Sequence, residues 1–138
     1  MSQTSNTAAL LYTQYSVQNS KTLMEKSSLI YNPNCSKCRA SVQLLAEKHI
    51  PVELIEYLDQ ALSKQQLLDL MQRGIPAKDM LRVSEPAFQA LNLDIDSLSE
   101  ADIVNLLLTD SRLLQRPIFT HGERAIIARP VERLLEIL

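Results

Sequence analysis

The stretch "LIYNPNCSKCRASVQLLAEKHIPVELIEY", residues 29–57, contains the pattern that decides the fold. Its first three residues predict a short strand, and "PNCS" (33–36) turns into a helix whose apolar residues recur at helical spacing. These residues are Val42, Leu45, Ala46 and His49. "VELIEY" (52–57) has the length and β-branched content of a second strand. Strand, helix and strand in this order predict a βαβ unit, whose two strands are normally parallel.

Helices are predicted in the middle of the chain. Ser63 with Gln66 has the pattern of a capping box, and Gly74 is placed to end the helix that follows. Ser97 with Glu100 predicts the start of another helix. Two shorter helices are predicted at "AKDMLR" (77–82) and "PAFQAL" (86–91).

The last part of the chain predicts a hairpin and a helix. "PIFT" (117–120), the turn "HGE" and "RAIIAR" (124–129) have the pattern of a β-hairpin. Pro130 is placed at the start of a final helix. The apolar face predicted for that helix contains Val131, Leu134, Leu135 and Leu138. The order βαβ, helices, ββα predicts an α/β domain with one mixed sheet and helices on its faces.

Composition restricts the class of protein. The chain has 138 residues, of which 46% are hydrophobic, and its net charge is −2. We therefore predict one domain, at residues 28–138, and no attraction to nucleic acid or to an anionic membrane. Residues 1–27 are rich in Ser, Thr, Gln and Asn and predict a flexible arm, not a secretory signal. The two cysteines are then expected to be reduced thiols in the cytoplasm.

Both cysteines, Cys35 and Cys38, lie at the predicted turn from strand to helix. A structural zinc site needs four ligands, and the two histidines, His49 and His121, are poorly spaced for it, so no metal is expected. Two half-buried apolar cysteines are a second interpretation. A redox or nucleophilic centre is the favoured one, because a helix N-terminus with the positive charges of Lys37 and Arg39 nearby stabilises a thiolate.

Four motifs carry a resemblance to a known family. They are "NPNCSKCR" (32–39), "LRVSEPAF" (81–88), "LLQRPIFT" (113–120) and "IIARPVERLLEIL" (126–138). In this order and at these intervals they resemble the ArsC family of glutaredoxin-coupled arsenate reductases. The resemblance covers about Leu29 to Leu138 and implies a thioredoxin-like fold with a helical insertion between the two strand pairs.

The resemblance also implies roles for single residues. Cys35 matches the family's nucleophile, and Arg82, Arg116 and Arg129 match its oxyanion-binding arginines. Pro117 matches a proline expected to be cis. The chain departs from the family in two places: Tyr31 stands where many members have histidine, and Cys38 stands where the best-known members have serine. The second departure raises the possibility of a Cys35–Cys38 disulfide, with Cys38 as a second catalytic thiol.

The activity implied by the resemblance is reduction of arsenate to arsenite through a thiol-arsenate intermediate on Cys35. Arsenate or a related oxyanion is the expected substrate, and glutathione is the expected thiol co-substrate, with no bound cofactor. Glutaredoxin, thioredoxin or both are the expected protein partners of a monomer.

Two alternatives fit the same motifs. The Spx-type regulators have a similar fold and a CxxC motif, and they act as redox switches that bind RNA polymerase. Arg129 favours the reductases, since those regulators typically have glycine there. The second alternative is a general thiol oxidoreductase without an arsenic substrate, because an oxyanion site does not identify its oxyanion.

Overall fold

The computed structural model describes residues 26–138, which form a four-stranded sheet with helices on both faces. The strands are β1 (Ser27–Tyr31), β2 (Glu53–Glu56), β3 (Ile118–His121) and β4 (Arg124–Ile127), arranged in the order β2-β1-β3-β4. The β1–β2 pair is parallel, whereas the β1–β3 and β3–β4 pairs are antiparallel. The predicted mixed sheet is therefore confirmed.

The helices lie in the order that the sequence predicts. The α-helices are α1 (Ser36–Glu47), α2 (Lys64–Gln72), α3 (Pro86–Gln89) and α4 (Glu100–Thr109). The 3-10 helices span Ala77–Met80, Ile95–Ser97, Ser111–Leu113 and Val131–Ile137. Helix α1 connects the two parallel strands, and the segment from α2 to the third 3-10 helix is the predicted insertion between β2 and β3.

The sheet separates two apolar cores because successive side chains of a strand point to opposite faces. On one face Leu29 of β1 packs in a cluster with Leu45 of α1 and Leu134 of the last 3-10 helix. On the other face Ile30 packs in a cluster with residues of the insertion, among them Leu67 of α2. The insertion thus supplies the second layer that this face of the sheet needs.

Two details of α1 differ from the prediction. The helix ends at Glu47, so His49 does not belong to its apolar face. His49 has a φ of 58° and is exposed, as is Ala46. A left-handed residue directly after a helix reverses the chain, and here it leads the backbone back toward β2. Ala46 and His49 fit the helical spacing of apolar residues only by coincidence.

Capping was predicted correctly at one helix and wrongly at another. Ser63 and Gln66 form the expected capping box of α2, and Gly74 follows that helix with a φ of 119°. Helix α4 is instead capped by Ser99 with Asp102, not by Ser97 with Glu100. The Ser97 hydroxyl donates to the carbonyl oxygen of Asp94 within the preceding 3-10 turn, so it is not free to cap a helix.

The C-terminal helix is a 3-10 helix rather than the α-helix that its apolar spacing predicts. Because a 3-10 helix has three residues per turn, its buried residues are Leu134 and Ile137, three positions apart. Leu135 and Leu138, predicted on the buried face, are 38% and 43% exposed. The prediction of that face was therefore wrong at both residues.

Strand β1 begins at the buried Ser27, the last residue of the predicted arm. The division of the chain into an arm and a domain stays a prediction. The rest of the arm predicted at residues 1–27 lies outside the described residues, apart from Lys26, and its flexibility stays a prediction. None of the helices within residues 26–138 has the length and apolar character that a bilayer crossing demands.

Candidate active site

The loop between β1 and α1 presents the two cysteines. The backbone N–H of Cys35 donates to the Asn32 carbonyl oxygen at 3.0 Å, and the Asn32 side chain accepts from Asn34 N–H at 2.9 Å. The Asn32 N–H in turn donates to Cys38 Sγ at 3.4 Å. These bonds within a few residues tie the loop to the first turn of the helix and fix where both sulfur atoms lie.

Cys35 occupies the N-cap position of α1, with extended φ and ψ of −100° and 126°. Burial alone would raise the pKa of its thiol. The backbone N–H and the thiol of Cys38, together with the Arg116 guanidinium, outweigh burial and lower this pKa from 9.0 to about 7. The Cys35 side chain makes no capping hydrogen bond of good geometry. The interactions with Cys38 and Arg116 therefore stabilise mainly the charged thiolate, because hydrogen bonds to a charged group are stronger.

Cys38 differs sharply from Cys35 although it lies one helical turn away. Its side chain is inaccessible to solvent, whereas Cys35 is 8% exposed. Burial and the adjacent Cys35 thiolate raise the pKa of Cys38 to about 12. Both residues are free thiols in this structure. The pair therefore consists of one slightly exposed thiol that ionises near neutral pH and one fully buried thiol that stays protonated.

We expect alkylation of Cys35 to follow a titration with its midpoint near pH 7. A thiol of pKa about 7 is roughly half thiolate at pH 7, whereas a pKa of 9.0 leaves about one part in a hundred. The iodoacetamide rate should thus rise through pH 7 and level off above pH 8. Tandem mass spectrometry should find the label on Cys35, and Cys35→Ser should lose it. A midpoint at or above pH 9 would contradict the stabilised thiolate.

Arg116 is the arginine that reaches Cys35. It lies two residues before the start of β3, and the Arg116–Pro117 peptide bond is cis, as the resemblance implies. Because β3 pairs with β1, its first residues lie at the sheet edge where the cysteine loop begins. Burial opposes the charge of Arg116, but the Cys35 thiolate and Tyr57 outweigh it and raise the pKa of Arg116.

Arg82 is paired with a carboxylate. Its Nη1 atom donates to Glu85 Oε1 at 2.5 Å, and both side chains are largely buried. Its backbone N–H donates to the Leu113 carbonyl oxygen at 2.7 Å, which anchors this segment beside the residues that lead into β3. Because Glu85 neutralises Arg82, an oxyanion bound at this guanidinium would share it with a carboxylate.

Arg129 is connected to the site through the backbone of Arg116. Its Nε atom donates to the carbonyl oxygen of Arg116 at 2.5 Å, so it supports the segment that carries Arg116. Arg129 also lines an open groove of about 570 Å³ beside β4, and Cys35 is not among the described residues that line this groove. The structure thus brings Cys35, Cys38 and Arg116 into one cluster and connects Arg129 to it indirectly.

Comparison with known proteins identifies the family. The family model described as "ArsC family" matches residues 30–137. The chain belongs to the ArsC family. It is 37% identical over 115 residues to the arsenate reductase of Haemophilus influenzae, which covers 81% of this chain and 99% of that protein. A solved structure of an arsenate reductase from Vibrio cholerae has a TM-score of 0.76 at 32% identity, covering 83% of this chain and 98% of that one.

A regulator is also among the relatives of this ArsC-family chain. The global transcriptional regulator Spx of Streptococcus mutans is 27% identical over 100 residues, covering 70% of this chain and 72% of that protein. The resemblance inferred from the four motifs is confirmed, and so is the thioredoxin-like α/β fold of the ArsC family. The roles of Cys35, Cys38 and the three arginines stay predictions.

Tyr57 is a member of the cluster that the sequence-based reasoning missed. Its side chain is buried, and its hydroxyl lies close enough to Arg116, Cys38 and Arg82 for their charges to act on it. The sequence contained a feature that could have predicted its position, because Tyr57 directly follows β2, which runs parallel to β1. Residues after parallel strands meet at one edge of a sheet, and the cysteine loop follows β1 at that same edge.

A metal centre has no ligand set in the described part of the chain. No group of three or more His, Cys, Asp or Glu side chains there is arranged to hold an ion. His121 pairs with Ser27 across β3 and β1, and its Nδ1 atom lies 2.7 Å from Ser27 Oγ. That pair stands at the opposite end of β1 from Cys35, so His121 is not placed to share a ligand with the two thiols.

Proposed function

We propose that this ArsC-family protein reduces arsenate to arsenite, with thiols as the source of electrons. The observation that carries the proposal is that the Arg116 guanidinium helps to lower the pKa of Cys35 to about 7, in a family whose relatives include proteins named arsenate reductase. A nucleophile of lowered pKa beside a permanent planar cation suits attack on a tetrahedral oxyanion. Arg82 and Arg129 are proposed to complete the oxyanion site.

The first step is formation of a covalent intermediate. The Cys35 thiolate attacks arsenic and forms a sulfur–arsenic bond, while one arsenic-bound hydroxyl takes up a proton and leaves as water. Arsenic stays in oxidation state +5 in this step. Arg116 offsets the negative charge of the oxyanion as the sulfur approaches, which is the kind of electrostatic stabilisation that lowers such barriers most.

The second step transfers two electrons. A second thiolate attacks the Cys35 sulfur, the sulfur–arsenic bond breaks with its electron pair moving to arsenic, and arsenite leaves. The two sulfur atoms are joined as a disulfide, so arsenic is reduced from +5 to +3 while two thiols are oxidised. This balance needs no metal or organic cofactor. Glutathione with glutaredoxin, or thioredoxin, then reduces the disulfide in the cytoplasm.

Cys38 is proposed as the second thiol. It lies on α1 one turn from Cys35, and tethering raises its effective concentration above that of free glutathione. After burial, the neighbouring Cys35 thiolate is a main factor that keeps the pKa of Cys38 high. Formation of the thiol-arsenate removes that thiolate charge, so Cys38 becomes easier to deprotonate at the moment when its attack is needed.

Cys38→Ser should convert the protein into one that depends fully on external thiol. One turnover of the wild type should leave a Cys35–Cys38 disulfide, seen as a mass loss of two hydrogens without a glutathione adduct. The variant should retain arsenate reduction with glutathione and glutaredoxin and lose it with thioredoxin alone. A wild-type protein that accumulates only a glutathione adduct on Cys35 would contradict the resolving role of Cys38.

The function itself is tested by arsenate-dependent NADPH oxidation, coupled either to glutaredoxin or to thioredoxin. Activity with one reductant and not the other also identifies the partner. The Spx relative gives a specific reason to keep a second candidate, a redox switch that binds RNA polymerase. Arg129 favours the reductase. Arsenate-independent disulfide formation, together with co-purification with RNA polymerase, would favour the switch instead.

A further inference from the structure

Two buried polar atoms beside the cysteines have no hydrogen-bond partner within residues 26–138. They are the hydroxyl of Tyr57 and the Nε atom of Arg116. Buried polar groups are nearly always paired, and each exception in a folded protein calls for an explanation. These two atoms belong to residues that also act on one another, since each affects the pKa of the other. One explanation therefore has to account for both.

The surroundings of Tyr57 hold its hydroxyl in place. The ring is 1% exposed and packs in the core cluster that covers the insertion side of the sheet, next to Leu62 and Leu67. The charges of Arg116, Cys38 and Arg82 act on its hydroxyl and change its pKa. Burial and the Cys38 charge raise the pKa of Tyr57 despite the two arginines, so the group is a neutral phenol at physiological pH.

The two unpartnered atoms are chemically complementary. A guanidinium has five N–H donors and accepts nothing, whereas a phenol oxygen accepts hydrogen bonds. Arg116 uses part of this set toward the Cys35 thiolate. The remaining donors are available to the Tyr57 oxygen whether or not an oxyanion occupies the site. A planar group held on two sides keeps one orientation, as catalysis by a preformed charge requires.

We propose that Tyr57 is a positioning residue, whose buried hydroxyl accepts a hydrogen bond from Arg116 and holds the guanidinium against Cys35. The proposal rests on the proposed function in that Arg116 is taken to serve oxyanion reduction. Direct contact between Tyr57 and substrate is not proposed, because its hydroxyl is shielded from solvent. Tyr57 therefore acts through Arg116.

The test is Tyr57→Phe, which adds no atom and removes only the hydroxyl. Because the ring keeps its packing in the core, the melting temperature should change little. Tyr31→Phe is the matched control, because that ring packs in the other core cluster, on the opposite face of the sheet. Tyr57→Phe should move the alkylation midpoint of Cys35 to higher pH and lower kcat for arsenate by about tenfold, with KM little changed. Tyr31→Phe should leave both quantities as in the wild type.

A second background shows whether the effect passes through Arg116. In Arg116→Met, adding Tyr57→Phe should cause no further change in the midpoint. An equal change in both backgrounds, or no change in the wild-type background, would overturn the positioning role. Alkylation involves no arsenate, so a shift that depends on Arg116 supports the positioning role even if the wild type fails to reduce arsenate. That failure would overturn the proposed function alone.

Discussion

Cys35→Ser is expected to abolish arsenate reduction while the protein stays folded. A serine hydroxyl does not ionise near neutral pH and cannot form the disulfide that supplies two electrons, so turnover should fall by about 10⁴-fold or more. Stability should be kept, because Cys35 occupies the N-cap of α1 and serine is among the residues preferred there. Coupled NADPH oxidation measures the first effect and thermal unfolding measures the second.

Cys38→Ser is the matched control for this variant. It changes the same type of atom one turn further along the helix, yet it should retain turnover with glutathione and glutaredoxin. Incubation with arsenate should give a covalent arsenic adduct on Cys35 in this control and none in Cys35→Ser. If Cys35→Ser instead retained activity within tenfold of the wild type, Cys38 would be the nucleophile and the order of the two thiols would be reversed.

Arg116→Met is expected to have the second-largest effect. Methionine keeps the length of the aliphatic part but removes the charge and all donors. Loss of one donor to a developing oxyanion is worth roughly 3 kcal/mol, so kcat/KM should fall by about a hundredfold. The same change removes a group that lowers the pKa of Cys35, and the alkylation midpoint should therefore move to higher pH. Two independent measurements thus examine one residue.

The other arginines supply the comparison. The resemblance assigns one role to all three, but Arg116 alone among them contributes to the lowered pKa of Cys35. Arg82 is paired with Glu85, and Arg129 donates to the Arg116 carbonyl oxygen. We therefore expect Arg82→Met and Arg129→Met to lose less activity than Arg116→Met and to move the alkylation midpoint little. Near-normal arsenate kinetics in all three variants would contradict an oxyanion site and favour the Spx-like or general oxidoreductase interpretation.

Local features of the chain were predicted well because their causes lie within a few residues. The βαβ unit follows from two short apolar runs on either side of a helical spacing, and the box of Ser63 with Gln66 joins residues three apart. The hairpin follows from two β-branched runs around a turn at Gly122, whose φ is 60°. The position of Cys35 at the start of α1 belongs to the same class.

Errors arose where two local solutions were equally acceptable. Ser97 and Ser99 are each followed three positions later by an acidic residue, and packing of α4 against the core selects the second. The apolar spacing of the last nine residues suits an α-helix and a 3-10 helix alike. Contact with the core that contains Leu29 and Phe119 selects the 3-10 form, in which Leu134 and Ile137 are buried.

The sequence by itself determined the order of the elements, the family and a cysteine at a helix start, because motifs, periodicity and capping are written in neighbouring residues. Only the tertiary structure decided which arginine meets the thiolate and that Tyr57 stands behind it. Arg116 and Tyr57 precede β3 and follow β2, strands that are separated by the whole insertion and lie on either side of β1. Arg116 and Tyr57 come together because of the strand order and because of burial. Neither of these is specified by any short stretch of the chain.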